Sequence, residues 1–308
     1  MTEGPPQRRT SPPLAVTIDL WYTLIAFSRA GPTKYERARR AAWVDPLVAR
    51  SVPRRTAEKA VRAMEAWASE REATGRSVSL AEQADEMARL TGVRPEPDRV
   101  GHAIAFALAS ANLRWSPGLR PALQRLRRRG LRLGVVSNIL YEPPEAAHAL
   151  LRRLGEGKLF DAVVLSSDGV DAKPAPRILG RAAGALGVAP SDLLHVGDST
   201  ADLLAARRAG VAFVRFTGRP NLRGAWRPAP TPNSRYPSVR TWSALASDLD
   251  EIWKAAAAAR DRSVRPGRTE PGRRRPRVGA RASASSSGPP TAPRGPPTGS
   301  SGAPQPRG

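Results

Sequence analysis

The sequence predicts an α/β fold: a doubly wound parallel sheet with an α-helical cap subdomain inserted after the first strand. Three observations predict it. Short apolar runs alternate with helical patterns, one long interval carries no strand pattern, and polar residues stand just after the apolar runs. The candidate strands are Ala15 to Ile18, Leu131 to Val136, Asp161 to Leu165, Leu193 to Val196 and Val211 to Arg215. Helical periodicity over Pro121 to Arg129 ends at Gly130, and over Ala201 to Ala209 at Gly210, where a left-handed C-terminal cap needs glycine. In such a sheet, ligands bind at the carboxyl ends of the strands.

From Ser28 to Leu113 the pattern changes. The segments Tyr35 to Arg50, Thr56 to Ala73, Leu80 to Leu90 and Asp98 to Leu113 read as amphipathic helices. In "TAEKAVRAMEAWASE", Ala60, Met64 and Trp67 share a face, a stripe expected to pack in a core. The organisation that follows is a disordered arm over 1–13, a core over 14–27 and 114–260, a helical cap over 28–113 and a disordered tail over 261–308. The arm and tail are rich in Pro, Gly, Ser and Arg, and bury too little apolar surface to offset the entropy of ordering.

With 308 residues, 40% of them hydrophobic, the chain can build a substantial core. Its formal charge of +23 is almost all arginine, because only Lys34, Lys59, Lys158, Lys173 and Lys254 are lysines. That bias, with abundant Ala, Gly and Pro, points to a GC-rich coding sequence before it points to a polyanion partner. Contacts with nucleic acid are expected only as non-specific ones from Arg273 to Arg275 in the tail. The absence of cysteine excludes disulfides, thiolate metal sites and a thiol nucleophile. No stretch reads as a secretory signal or reaches the roughly 20 apolar residues of a membrane span, so a cytoplasmic location and no membrane partner are expected.

Four sets of polar groups follow predicted strands or open the next helix: Asp19; Ser137 with Asn138; Lys173; and Asp198 with Asp202. Singly, each has an ordinary explanation as a turn residue, helix cap or surface cation. Together they converge, because strand ends of one sheet share one crevice. Asp19 and Asp198 can hold one Mg²⁺, which takes one or two protein carboxylates and the substrate's phosphate. Lys173 adds charge against the equatorial oxygens, and Ser137 with nearby amides supplies neutral donors. Asp202, one turn after Asp198, could orient metal-bound water. His195 is expected to be a packed core side chain, and neither His102 nor His148 has metal-binding spacing.

The set "DLWYTL", "VVSN", "KPAPRI" and "HVGDSTADLLAARRAG", in this order, resembles the haloacid dehalogenase (HAD) superfamily of hydrolases over about Ala15 to Phe216. The resemblance implies a Rossmann-like core with Asp19 as the nucleophile that forms an aspartyl intermediate and Thr23 as the hydroxyl that positions it. It also implies the main-chain carbonyl of Trp21 and the Asp198 carboxylate as metal ligands, Ser137 as a phosphate contact and Lys173 as the charge clamp. Phosphatases of the superfamily carry a second aspartate two residues after the nucleophile, which protonates the leaving oxygen. Here that residue is Trp21, and indole cannot do so.

Three readings follow. One is a Mg²⁺-dependent phosphohydrolase acting on a small phosphorylated molecule, its acid supplied by substrate, water or the cap, with Tyr35 and Glu36 as candidates. Another is a 2-haloacid dehalogenase-type hydrolase, whose halide leaves without a proton and which needs no metal. The third is a module that binds a phosphorylated ligand with little or no turnover. Retention of Asp19, Lys173 and Asp198 together favours chemistry over mere binding, and the Gly197-Asp198 pattern, not expected in the dehalogenase branch, favours the first.

Overall fold

The computed structural model describes residues 12–27, 31–153, 157–218 and 236–264. Regular structure begins with β1 (Ala15–Ile18), whose unbroken AVTI run is buried on both faces, and continues into the short β2 (Ile25–Phe27). Four helices follow: α1 (Gly31–Val48), α2 (Arg54–Ala73), α3 (Leu80–Thr91) and α4 (Pro97–Ala109). β3 (Leu113–Trp115) then pairs antiparallel with β2, setting Leu113 opposite Phe27 and Trp115 opposite Ile25. The helical segment thus leaves and re-enters through one two-stranded neck.

After the neck, helices and strands alternate: α5 (Leu119–Arg128), β4 (Arg132–Ser137), α6 (Pro144–Arg153), β5 (Ala162–Leu165), α7 (Arg177–Ala185), β6 (Leu193–Gly197), α8 (Thr200–Ala209) and β7 (Ala212–Phe216). β8 (Ser238–Val239), α9 (Trp242–Ser247) and α10 (Leu249–Val264) complete the described chain. The main sheet has the order β5-β4-β1-β6-β7-β8, and every pairing in it is parallel. From the central β1 the chain builds outward through β4 to β5, then crosses to the other side for β6, β7 and β8. That reversal opens a crevice at the carboxyl ends of β1, β4 and β6.

The sheet is covered on both faces, as a parallel sheet requires. On one side Ala15, Val136, Val164 and Phe213 pack with Ile178 and Leu179 of α7 and Ala205 of α8. On the other, Val16, Ile18, Val135 and Val214 meet Leu123 of α5, Leu150 of α6 and Trp242 of α9. The five expected strands lie within one residue of their expected ends.

Three features differ from expectation. The β2–β3 neck was not expected, since three-residue strands are too short to show a period; Leu113 therefore lies in a strand, and α4 stops at Ala109. α10 continues through Val264, past the expected end of the core at residue 260, because Ile252, Trp253 and Ala256 seat its inner face. Trp67, expected in a core stripe with Ala60 and Met64, is only half-buried and carries the Arg71 guanidinium 4.1 Å above its ring. Residues 1–11 of the expected arm and 265–308 of the expected tail lie outside the described residues.

Helices α1 to α4 pack on one another around Trp43, Met64, Met87 and Ile104, all fully buried. A charged clasp joins α1 to α2: Glu65, buried, lies 2.8 Å from the Arg39 guanidinium and 2.9 Å from that of Arg40. Arg39 is itself buried, so removing the carboxylate strands its charge. Glu65→Ala is expected to destabilise the protein by about 3 kcal/mol, and Glu65→Gln by less, as read by denaturant unfolding.

Candidate active site

Asp19, Ser137, Asn138, Asp198 and Asp202 stand at the end of a strand or the start of a helix, Trp21 and Thr23 in the turn after β1, and Lys173 in the loop before α7. Asp19 follows β1, and its amide donates to the Val196 carbonyl of β6 at 2.9 Å, which fixes it at the centre of the crevice. The chain then tightens into a turn in which the Leu20 carbonyl accepts from both Leu24 and Ile25, with Tyr22 in the left-handed region at φ 61. This turn carries Thr23, fully buried, whose hydroxyl reaches Asp198 Oδ1 at 3.4 Å. Trp21 bridges to Ile25, and its indole stacks on Phe27 with centroids 5.4 Å apart.

Lys173 is the centre of the charge network. Its buried ammonium donates to Asp19 Oδ1 at 2.5 Å, to Asp202 Oδ1 at 2.6 Å and to the Val136 carbonyl at 3.1 Å, which uses all three of its hydrogens. Asn138 holds the Lys173 backbone from both sides: its amide nitrogen donates to the Lys173 carbonyl at 2.8 Å, and its oxygen accepts from the Lys173 amide at 2.7 Å. Ser137, also buried, donates to the Asn138 carbonyl at 3.2 Å.

Asp202 is fully enclosed. Its Oδ1 accepts from Lys173 and from His195 Nε2 at 3.1 Å; its Oδ2 accepts from the Ser199 amide at 3.0 Å and hydroxyl at 2.6 Å. The Ser199 oxygen in turn accepts from the Asp202 amide, so "DSTAD" forms a capping box at the start of α8. Because a carboxylate only accepts, His195 carries its proton on Nε2, and Nδ1 accepts from the Thr17 hydroxyl at 3.0 Å. Gly197 leaves room for this arrangement, since a Cβ there would sit 2.4 Å from Asp202 Cγ.

Oxygens of Asp19, Asp198 and Asp202 lie within 4.8 Å of one another. Burial pushes the Asp198 carboxyl up to about 8, Asp19 and Asp202 adding to the rise while Lys173 opposes it. Burial likewise raises Asp19 to about 6, against the pull of Lys173. Asp202 goes the other way: burial would raise it, but Lys173 and His195 outweigh that and hold it well below the usual carboxylate range. For Lys173, burial opposes the charge, and Asp19 with Asp202 reverses the balance and raises its pKa. Burial lowers that of His195, which leaves the ring neutral. A crevice with one lysine and three carboxylates resists full ionisation unless a further cation enters.

Residues 15–210 match the family described as haloacid dehalogenase-like hydrolase. The chain belongs to that family. A glyceraldehyde 3-phosphate phosphatase of Methanopyrus kandleri is 37% identical over 136 residues, which are 43% of this chain and 57% of that protein. A phosphoglycolate phosphatase of Escherichia coli is 37% identical over 101 residues, 33% of this chain and 39% of that protein. The chain thus matches between about two fifths and three fifths of the length of these two relatives. A HAD phosphatase of Thermococcus onnurineus shares the fold, with a TM-score of 0.50 at 21% identity, covering 76% of this chain and 97% of that one.

The structure thus brings Asp19, Thr23, Lys173, Asp198 and Asp202 together and places Ser137 and Asn138 at the adjoining end of β4. Asp202 was expected to orient metal-bound water, but both of its oxygens are engaged by the protein, and it anchors Lys173 instead. His195 is packed in the core, as expected, yet also ties Asp202 to β1. Ser166 went unnoticed in the sequence: its buried hydroxyl accepts from the Ile139 amide at 2.8 Å and ties the loop after β4 to the end of β5. Tyr35, a candidate acid, donates its proton to Glu142 at 2.5 Å, and burial with Glu142 raises its pKa far above neutrality, while Glu36, the other candidate, is exposed. Neither suits proton donation.

The raised carboxyls have a sign that can be tested. A group raised from 3.8 to about 8, as Asp198 is, favours the folded state fully only below its unfolded value. That contribution is lost as the pH climbs through about 8. In chelator, Asp198→Asn is therefore expected to gain stability on wild type between about pH 5 and pH 8, by about 1 kcal/mol or more, in thermal melts.

Proposed function

We propose that the chain hydrolyses the phosphate ester of a small molecule in two steps, through an aspartyl phosphate on Asp19. The observation that carries this reading is the Lys173 ammonium lodged between Asp19 and Asp202 with Asp198 alongside, at the carboxyl ends of β1 and β6. Asp19 attacks phosphorus in line with the departing oxygen, and water then cleaves the acyl phosphate. Lys173 has no spare hydrogen while both carboxylates hold it, so it acts on the phosphoryl oxygens as a nearby charge or by exchanging one bond as substrate enters. Ser137 donates to the phosphate, Asn138 fixes Lys173 and borders the substrate, and Thr23 steadies Asp198.

The donor set fits a hard divalent cation: Asp19 and Asp198 offer carboxylate oxygens close together, and burial with two neighbouring carboxylates disfavours the Asp198 charge, which a cation would offset. Mg²⁺ held by Asp19, Asp198 and the Trp21 carbonyl would supply charge neutralisation toward the phosphate. Helices α1 to α4 act as a cap that excludes bulk water and selects substrate. Two relatives named for phosphatases of small phosphorylated compounds support the substrate class. A dehalogenase has no use for the acidic pair completed by Asp198, which favours phosphohydrolysis.

With Mg²⁺ and an activated aryl phosphate, phosphate release is expected, and Asp19→Asn should lower it by at least about 10³-fold. Metal-independent halide release from a 2-haloacid, with no phosphate release, would replace this reading with dehalogenation.

A further inference from the structure

With Trp21 in place of an aspartate, a leaving alkoxide oxygen needs a proton from another group near the crevice. A cavity of about 430 Å³ opens between the start of α3 and the loops after β4 and β5, lined among others by Ser79, Ile139, Glu142 and Ser166. The last turn of α2 comes just before the cavity's rim at Ser77 along the chain. Ser69, Glu72 and Gly75 recur at spacings of three along that helix and its C-terminal turn, which places them on one stripe. The Ser69 hydroxyl lies 3.3 Å from that of Tyr141 in the loop after β4. Gly75 abuts the segment that carries Lys173: a Cβ there would sit 2.8 Å from the Ala175 Cβ and 3.3 Å from the Ala172 carbonyl oxygen. Glu72 lies between these two contacts, within electrostatic reach of Lys173, Glu142 and Asp19.

From this placement we infer that Glu72 is the general acid and base of the reaction, replacing the carboxylate absent at Trp21. The inference rests on the phosphohydrolase reading above. Lys173, Glu142, Asp19 and Tyr141 are the titratable groups that face Glu72 across the crevice. Among the described residues, no hydrogen bond or ion pair ties down its carboxyl. Burial, with Glu142 and Asp19 adding and Lys173 opposing, raises it to about 7. The neighbouring carboxylate, Glu142, accepts a hydrogen bond from the Tyr35 hydroxyl at 2.5 Å, whereas the Glu72 carboxyl is left to face the crevice groups.

In the first step a carboxylate oxygen of Asp19 forms a bond to phosphorus as the ester P–O bond breaks, and the proton of Glu72 passes to the departing oxygen. In the second, Glu72 takes a proton from water as the water oxygen attacks phosphorus. The bond to Asp19 breaks, inorganic phosphate leaves, and Glu72 is again protonated. Because the first step needs the acid form, kcat/KM for an alkyl phosphate falls as the pH rises through about 7.

The test compares an alkyl phosphate with an activated aryl phosphate, with Mg²⁺, in wild type, Glu72→Gln and Glu72→Asp. Glu72→Gln should lower kcat/KM for the alkyl phosphate by about 10²-fold or more and kcat/KM for the aryl phosphate at least about tenfold less, because an acidic leaving group needs no proton in the first step; kcat should fall for both, since they share the water step. It should also erase the alkaline limb near pH 7, and Glu72→Asp should retain the limb with intermediate activity. Equal losses of kcat/KM on both substrates with an unmoved limb would reduce Glu72 to a structural part and overturn the assignment. Absence of any hydrolysis dependent on Asp19 would instead overturn the phosphohydrolase reading, and this inference with it.

Discussion

A lysine ammonium buried at the meeting point of β1, β4 and the start of α8 governs the rest of the site. Burying an isolated ammonium is prohibitive, and Lys173 is tolerated only because two carboxylates and a main-chain carbonyl take all its hydrogens. That requirement fixes Asp202 behind it, and Asp202 is held in turn by His195, by Ser199 and by the positive end of α8. Capping a helix and anchoring a buried ammonium are here one set of bonds. Asp19 and Asp198 remain on the open side, raised in pKa and short of positive charge, where a cation and a phosphoryl group would complete the balance.

The sheet makes this arrangement possible at low cost in chain. Strand order reverses around β1, so residues separated by up to 183 positions, Asp19 and Asp202, arrive at one crevice. The β2–β3 neck then gathers both connections to the helical segment beside the same crevice. Trp21 belongs to that neck: its indole stacks on Phe27, which stacks on Tyr35 at 5.4 Å, and Tyr35 holds Glu142. At position 21 the indole thus makes an apolar contact between the turn after β1 and the first helix.

Much of this was legible in the sequence, for identifiable reasons. Buried parallel strands leave unbroken apolar runs, and the five long ones could be placed within a residue, whereas β2 and β3, at three residues each, leave no period to read. Polar residues directly after those runs identified the crevice, since topology alone brings strand ends together. The partners of Asp202 could not be foreseen, because which of two acids in "DSTAD" turns inward depends on the bare face of Gly197 and on a histidine seven residues earlier. Glu72 was equally hidden: on a helix rich in Glu and Arg it looks like any solvated charge, and only the close approach of Gly75 to Ala175 brings it to the site.

The central claim is spatial, that Asp19, Asp198 and Lys173 converge on a single phosphoryl and cation site. It is tested most directly by a crystal structure of the protein grown with Mg²⁺ and beryllium fluoride, a mimic of a carboxylate-bound phosphoryl group. The account predicts density continuous with Asp19, one cation shared by Asp19 and Asp198, and the Lys173 ammonium turned toward the fluoride ligands. A cation bound elsewhere, or an adduct on Asp19 with Asp198 and Lys173 both out of reach, would contradict it.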